Sequence, residues 1–363
     1  MKILYLITKT EIGGAQVHVV DLCVYFKKNG HEVTVMSSGD GWLRQICKKE
    51  GVNFVENKYF SNRPYPRKLF NAIREIKRCV KNVNPDIVHC HSSAAAILGR
   101  LAIRNKVRTI YTAHGWGFNV GIKPWIKYPI IFLEKICSRF TDDYICVSEF
   151  VRNLALKHNI ASVDKMKVVY NGINLPNVFK SEEKTADNKV ELSFVGRLSS
   201  PKMPELVIKA IDLLPPETKN DVKFLIVGTG KKYSMLKKES NKYNVNIEFT
   251  GEMNLENSLA RLVKSDIFIF ISKWEGFPYS ILEAMSLGLP IIASDVGGVG
   301  EMVCEESGIL VKNDIRQISQ AILKLVKDKE LRERMGQNGR KVIEQKFLLD
   351  DMLRKIEEIY EKS

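Results

Sequence analysis

Residues 265–295 read SDIFIFISKWEGFPYSILEAMSLGLPIIASD. An apolar run (265–272) leads into a Gly-Phe-Pro corner, a segment of helical spacing that stops at Gly288, and a second apolar run (289–295). A short apolar run without polar alternation reads as a strand buried on both faces, and two such runs joined by a helix read as a parallel strand–helix–strand unit. Pro278 suits the first turn of that helix, where its missing N–H is no loss. Glu275 stands before the corner and Glu283 one turn into the helix, inside a chain that is otherwise basic.

The same alternation extends in both directions. Upstream of residue 168, KILYLI (2–7), HEVTVMSS (31–38), PDIVHCHS (85–92), RTIYTAHG (108–115) and DDYICVSE (142–149) are short strand-like runs between helical segments. A polar, aperiodic stretch follows at 168–190, and a second series begins with VELSFVGR (190–197), VKFLIVGTG (222–230) and VNIEFTG (245–251). The expected fold class is α/β: two doubly wound, Rossmann-like domains with an interdomain cleft. The boundaries are 1–175 for the first domain, 176–189 for the linker, 190–344 for the second, and 345–363 for a charged C-terminal helix that crosses back to the first domain. Ligands of such sheets bind outside the carboxyl ends of the strands. TEIGGA, AHGWGF, GRLSSPK, GTG and SKWEGFP all follow strands.

Charge separates the halves. Residues 1–180 carry a net +15 and residues 181–363 a net −1, within a total of +14. A basic half fits an anionic membrane, nucleic acid or phosphate ligand, and equally a solvated basic face. Seven cysteines with no C-x-x-C pair read as reduced, buried thiols, which points to a cytoplasmic protein. MKILYLITKT reads as a first strand rather than a signal peptide, and no apolar run reaches the roughly 18 residues that a membrane span needs.

The helix after Pro278 presents N–H groups near Ser280 and Ile281, a ready anion site. Glu283 can accept hydrogen bonds from vicinal hydroxyls, and Glu275 from another hydroxylated group; a helix-capping corner explains Glu283 as well, and Glu275 poorly. Arg197 and Lys202, in a strand-to-helix loop, can clamp a diphosphate, or can be solvated loop cations. IGGAQ (12–16) is a glycine turn entering a helix but not the dinucleotide fingerprint. His89 and His91 share a strand face, yet no second ligand pair has zinc spacing, so no metal site is expected. His114 follows a strand and reaches the cleft, or sits in the core. NKYFSNRPYPRKLFNAIREIKRCVKN (57–82) and GWGFNVGIKPWIKYPIIFLEKI (115–136) interleave cations with aromatics, among them Tyr59, Phe60, Tyr65, Phe70, Trp116, Phe118 and Trp125, as a membrane-interfacial bed would.

Together EGFPYSILE, AMSLGLPIIASDVGGVGE, IGGAQVHVVDL, PDIVHCHS, TAHG, VVYNGIN, FVGRLSSPK and IVGTG resemble a retaining glycosyltransferase of family 4, with the GT-B fold, over nearly the whole chain. The resemblance implies transfer from a nucleoside-diphosphate sugar, UDP-linked, with no metal or other cofactor. Glu283 would bind the ribose. Arg197, Lys202 and the amides of Ser280 and Ile281 would bind the diphosphate. Glu275 with the backbone of Gly276, Phe277 and Pro278 would hold the sugar. His114 and Gly14 would meet the donor from the first domain, with Glu275 and His114 as the catalytic pair. Residues near Gly251 and Met253 would touch the base. SKWEGFPYS is similar to enzymes of bacterial surface-polysaccharide assembly, including capsule. It implies a polyprenyl-diphosphate-linked or other glycan acceptor, a peripheral position on the inner face of the cell membrane through the basic half, and no nucleic acid partner. Lys202-Met203 stands where the family has Lys-Gly, and Asn174 where it has Asp. The competing readings are a nucleotide-sugar epimerase, a glycosyl phosphorylase, and a non-enzymatic protein binding anionic surfaces.

Overall fold

The computed structural model describes residues 1–61, 66–119, 121–176 and 189–362. The chain divides into two compact units, Met1–Asn171 with Asp351–Ser363, and Gly172–Asp350. Tyr65, and most of the expected 176–189 linker, lie outside the described residues.

The first unit is built on seven parallel strands: β1 (Lys2–Lys9), β2 (Glu32–Ser38), β3 (Asn53–Glu56), β4 (Ile87–His91), β5 (Arg108–Ala113), β6 (Asp143–Cys146) and β7 (Met166–Val168), in the order β3-β2-β1-β4-β5-β6-β7. The second has six: β8 (Val190–Val195), β9 (Val222–Val227), β10 (Ile247–Gly251), β11 (Ile267–Phe270), β12 (Ile291–Ser294) and β13 (Gly308–Val311), in the order β10-β9-β8-β11-β12-β13. Both are doubly wound, α/β and Rossmann-like, as the alternation requires. The strand order reverses between β1 and β4 in one sheet and between β8 and β11 in the other. Crossover helices leave those two places in opposite directions, so a crevice opens at the carboxyl ends of the strands.

Burial follows the apolar runs. All five residues of β4 and all four of β11 are buried, as strands covered on both faces must be. The helix of the opening stretch runs Tyr279–Ser286 and ends before Gly288, which takes φ +75°. Pro278 is its N-cap, one residue earlier than the first-turn position expected. Helix Lys329–Lys346 ends at Phe347, and a further helix, Leu349–Glu361, joins the first unit. There Tyr360 stacks on Phe26 (ring centroids 4.8 Å, 18° between planes), while Arg108 donates to the carbonyls of Ile359 and Tyr360.

Two expectations for the aromatics are corrected. Trp116 and Phe118 are core residues, not interfacial ones: Trp116 is 1% exposed, stacks on Phe118 at 5.2 Å and donates Nε1–H to the Val151 carbonyl at 2.7 Å. An indole whose N–H finds a backbone acceptor can be buried whole. Phe60 is also buried, whereas Phe70 and Trp125 are exposed. Of the seven cysteines, six are buried and Cys304 is exposed.

Candidate active site

The residues expected to hold a donor lie beyond strand ends: those after β8 and β11 at the switch point of the second sheet, Gly14 after β1 at that of the first, His114 after β5 one strand further on, and Gly251 at the end of edge strand β10. In the second unit, Arg197 and Lys202 follow β8, and Glu275 follows β11. The two loops are stitched together: Met203 N–H donates to the Ile271 carbonyl at 2.8 Å and Lys273 N–H to the Pro201 carbonyl at 3.0 Å. This brings Lys202 Nζ into an ion pair with Glu275 Oε1, their side chains 16% and 10% exposed. The ammonium also lies 4.1 Å from the centre of the Phe270 ring. Burial lowers the lysine's pKa, and Glu275 offsets part of that shift by favouring the charged form. Arg197 is exposed.

Met203 needs none of the freedom of the glycine it replaces. Its φ is −131°, open to any residue, and its side chain is buried. The glycine that matters lies elsewhere. Gly297 has φ +61°, and a Cβ there would stand 1.9 Å from the Glu275 carbonyl oxygen. The backbone of the Glu275 corner is therefore seated directly on a glycine.

Gly276 and Phe277 are buried, and Pro278 and Ser280 are half-buried. Of the two expected anion-binding amides, that of Ile281 already donates to the Pro278 carbonyl at 3.3 Å. Glu283 keeps some solvent access, and burial pushes its pKa up to about 7. Its protonated form therefore persists far above the ordinary carboxylate range.

Lys232 was not singled out from the sequence. Its Nζ donates to the Lys202 carbonyl and to Glu205 Oε1, each at 2.6 Å, so it braces the loop that carries Lys202. The only sequence signal was its place just after VGTG.

In the first unit, Gly14 begins helix Gly14–Lys28 and is exposed; His114 follows β5 and is half-buried. His114 does not stand alone. Its Nε2 is 3.2 Å from His91 Nδ1, and its ring packs edge-on to His18 at 4.9 Å. His18 was missed, because nothing in the spacing of IGGAQVH marks it. His89 is satisfied on both sides, by Tyr360 Oη and by Thr112 Oγ1 at 2.7 Å. Burial lowers the pKa of His114, His91 and His89 well below the usual range and that of His18 to about 4. All four rings are neutral at pH 7.

Two parallel doubly wound sheets, each with candidate ligand residues beyond its strand ends, are the architecture of GT-B enzymes. Residues 12–176 match the family described as Glycosyltransferase Family 4, and residues 177–342 that described as Glycosyl transferases group 1. The chain is 30% identical over 331 residues to the O-antigen biosynthesis glycosyltransferase WbnH of Escherichia coli, covering 90% of each. It is 30% identical over 322 residues to the UDP-Gal:alpha-D-GlcNAc-diphosphoundecaprenol alpha-1,3-galactosyltransferase of the same organism, covering 81% of this chain and 79% of that one. The structure of Anabaena HepE in complex with UDP and glucose superposes with a TM-score of 0.84 at 19% identity, over 99% of both chains. The chain belongs to the family 4 glycosyltransferases, with the GT-B fold.

Proposed function

We propose that this enzyme moves a hexose from a UDP-linked sugar to a lipid-diphosphate-linked glycan, with retention of configuration and without a metal, in the assembly of a bacterial surface polysaccharide such as O-antigen or capsule. The observation that carries the reading is the Lys202–Glu275 pair, set where the β8 and β11 loops are stitched together. A buried ammonium held charged by one carboxylate is a preorganised seat for a diphosphate. Glu275 is anchored beside it, where it can accept from sugar hydroxyls. As the bond from the anomeric carbon to the phosphate oxygen breaks, negative charge grows on the departing UDP. Arg197, Lys202 and the Ser280–Ile281 end of helix Tyr279–Ser286 stabilise it, fixed dipoles and cations being the largest catalytic term available. Glu283 takes the ribose, and His114 and Gly14 of the first unit touch the donor. The names of the relatives support the donor and acceptor classes: one acts from UDP-galactose on a diphosphoundecaprenol-linked sugar, and HepE was crystallised with UDP.

A lipid-linked acceptor would call for a position on the inner leaflet of the membrane. Helix Pro124–Cys137 supports this. It buries Ile131, Glu134 and Cys137, and turns Trp125, Tyr128 and Phe132 outward, 69%, 66% and 65% exposed. Lys123 and Lys135 flank this apolar face, exposed, with Lys127 half-buried beside them. Aromatics beside lysines are suited to an anionic headgroup layer. No helix among the described residues is long and apolar enough to cross a membrane.

The test is transfer of labelled hexose from UDP-sugars to polyprenyl-diphosphate acceptors in detergent, with chelator present. Glu275→Gln and Arg197→Ala are each expected to abolish turnover while circular dichroism stays unchanged. Full activity in either removes the assignment.

A further inference from the structure

We propose that His18, His91 and His114 form a binding site for a divalent transition metal of the zinc class. The three come from separate segments: His18 from helix Gly14–Lys28, His91 from the end of β4, and His114 from the loop after β5. One nitrogen from each ring lies within 4.8 Å of the other two. A point equidistant from three atoms no more than 4.8 Å apart is at most about 2.8 Å from each, and zinc–imidazole bonds are about 2.0–2.1 Å, so inward shifts of under about 1 Å close the site.

Other observations on these rings point to a ligand. His91 shares Nδ1 with His114 at 3.2 Å, but its Nε2 is buried with no hydrogen-bond partner among the described residues. A neutral imidazole so placed leaves a donor or a lone pair unused, which is costly in a buried site. His18 Nδ1 lies 3.2 Å from Asn171 Oδ1. An amide oxygen there accepts the Nδ1–H and fixes the tautomer whose Nε2 carries the lone pair, as the outer partners of metal-bound histidines do. His89, in the same cluster but saturated by Tyr360 and Thr112, is excluded as a ligand by the same accounting. Half-exposed His114 gives an ion its way in. All-imidazole ligands suit zinc, copper and nickel rather than magnesium or manganese. The site is therefore separate from any cation that would accompany a diphosphate. A bound ion takes the His114 lone pair, so on the reading above it inhibits transfer; binding itself does not depend on that reading.

The experiment uses the full chain carrying Cys304→Ser, so that the exposed thiol does not compete, stripped with chelator and titrated calorimetrically with zinc chloride. One zinc per chain is expected, and at least tenfold weaker affinity in His18→Gln and in His91→Gln. X-ray absorption on the zinc-loaded protein without histidine changes is the companion measurement: an imidazole-dominated shell supports the site. No saturable binding, undiminished affinity in both variants, or a shell of sulfur or of water oxygen alone overturns it. Chelator-reversible inhibition that tracks occupancy is expected in the transfer assay. A zinc-loaded enzyme with imidazole ligands and full activity upholds the site and removes His114 from the donor's reach.

Discussion

Replacing Glu283 by glutamine should abolish a pH dependence that the native enzyme must show in binding its donor. Burial moves this carboxyl from an ordinary 4.5 to about 7. At about 1.36 kcal/mol per pH unit, ionising it in the free protein costs roughly 3 kcal/mol more than in solution. The folded value lies above the unfolded one, so the group's contribution to stability is complete below pH 4.5 and is lost as pH rises through 7. Donor binding has the opposite sign, because two ribose hydroxyls donate best to the ionised carboxylate. Roughly one-eleventh of the carboxyl is ionised at pH 6 and about ten-elevenths at pH 8, which makes the nucleotide-sugar bind about tenfold, or about 1.4 kcal/mol, more tightly at the higher pH. Calorimetric titration with UDP-glucose reads this directly, since its diphosphate is a diester and gains no proton over that range. Neutral His114 does not titrate there. Lys202, its pKa lowered, could only weaken binding as pH rises, the opposite trend. Glu283→Gln should give a flat profile, weaker at pH 8 by the roughly 1.5–3 kcal/mol of a charged hydrogen bond. A native profile that is flat between pH 6 and 8, or a Gln variant that keeps the slope, refutes the reasoning.

The buried pair Arg100–Glu134 (2.7 Å, both side chains essentially unexposed) ties helix Ser93–Ile103 to helix Pro124–Cys137. Glu134→Leu should destabilise the first unit by about 3–5 kcal/mol, and Arg100→Met with Glu134→Leu by less than the single change, as read by hydrogen exchange of the β5 amides; additive losses would contradict a buried ion pair. Gly297→Ala should lower the melting temperature of the second unit and cut turnover, the strain of φ +61° alone being worth about 1–3 kcal/mol before the clash with Glu275 is relieved. A native melting curve would show that the corner relaxes freely. Substituting Lys123, Lys127 and Lys135 by Gln should weaken binding to vesicles containing anionic lipid by about two orders of magnitude, at about 1 kcal/mol per lysine, and Trp125, Tyr128 and Phe132→Ser should weaken it further. Unchanged sedimentation with vesicles would remove the membrane role of this helix.

Most strands that sequence reading found are covered on both faces; β10, found as VNIEFTG, is the exception, an edge strand half-buried throughout. β11 is an unbroken apolar run, and β4 buries its two histidines along with its apolar residues, because nothing in either strand faces water. The strands it did not find, β3, β7 and β13, are three or four residues long and form sheet edges, where half-burial leaves no run to see. Glu275 and Glu283 were legible because a proline corner and a helix stop fix their positions locally. The pairing of Glu275 with Lys202, seventy-three positions away in the chain, was not, because only the order β8-β11 brings their loops together. His18 beside His91 and His114 follows from the β1-β4-β5 order in the same way. Trp116 and Phe118 misled because lysines near aromatics look alike in one dimension whether the rings face lipid or Val151.

The last thirteen or so residues have a temporal consequence. The hydroxyl of Tyr360 sits between His89 and Tyr5, and its ring covers Phe26, so strands of the first unit are completed by a side chain that follows the whole of the second unit in the chain. On the ribosome the leading lobe must wait, its seam uncapped, while the trailing lobe is synthesised. A chain cut short before residue 351 would leave Phe26, Tyr5 and His89 without the side chain that covers and bonds them, and quality-control proteases would meet an unfinished lobe rather than a shortened enzyme.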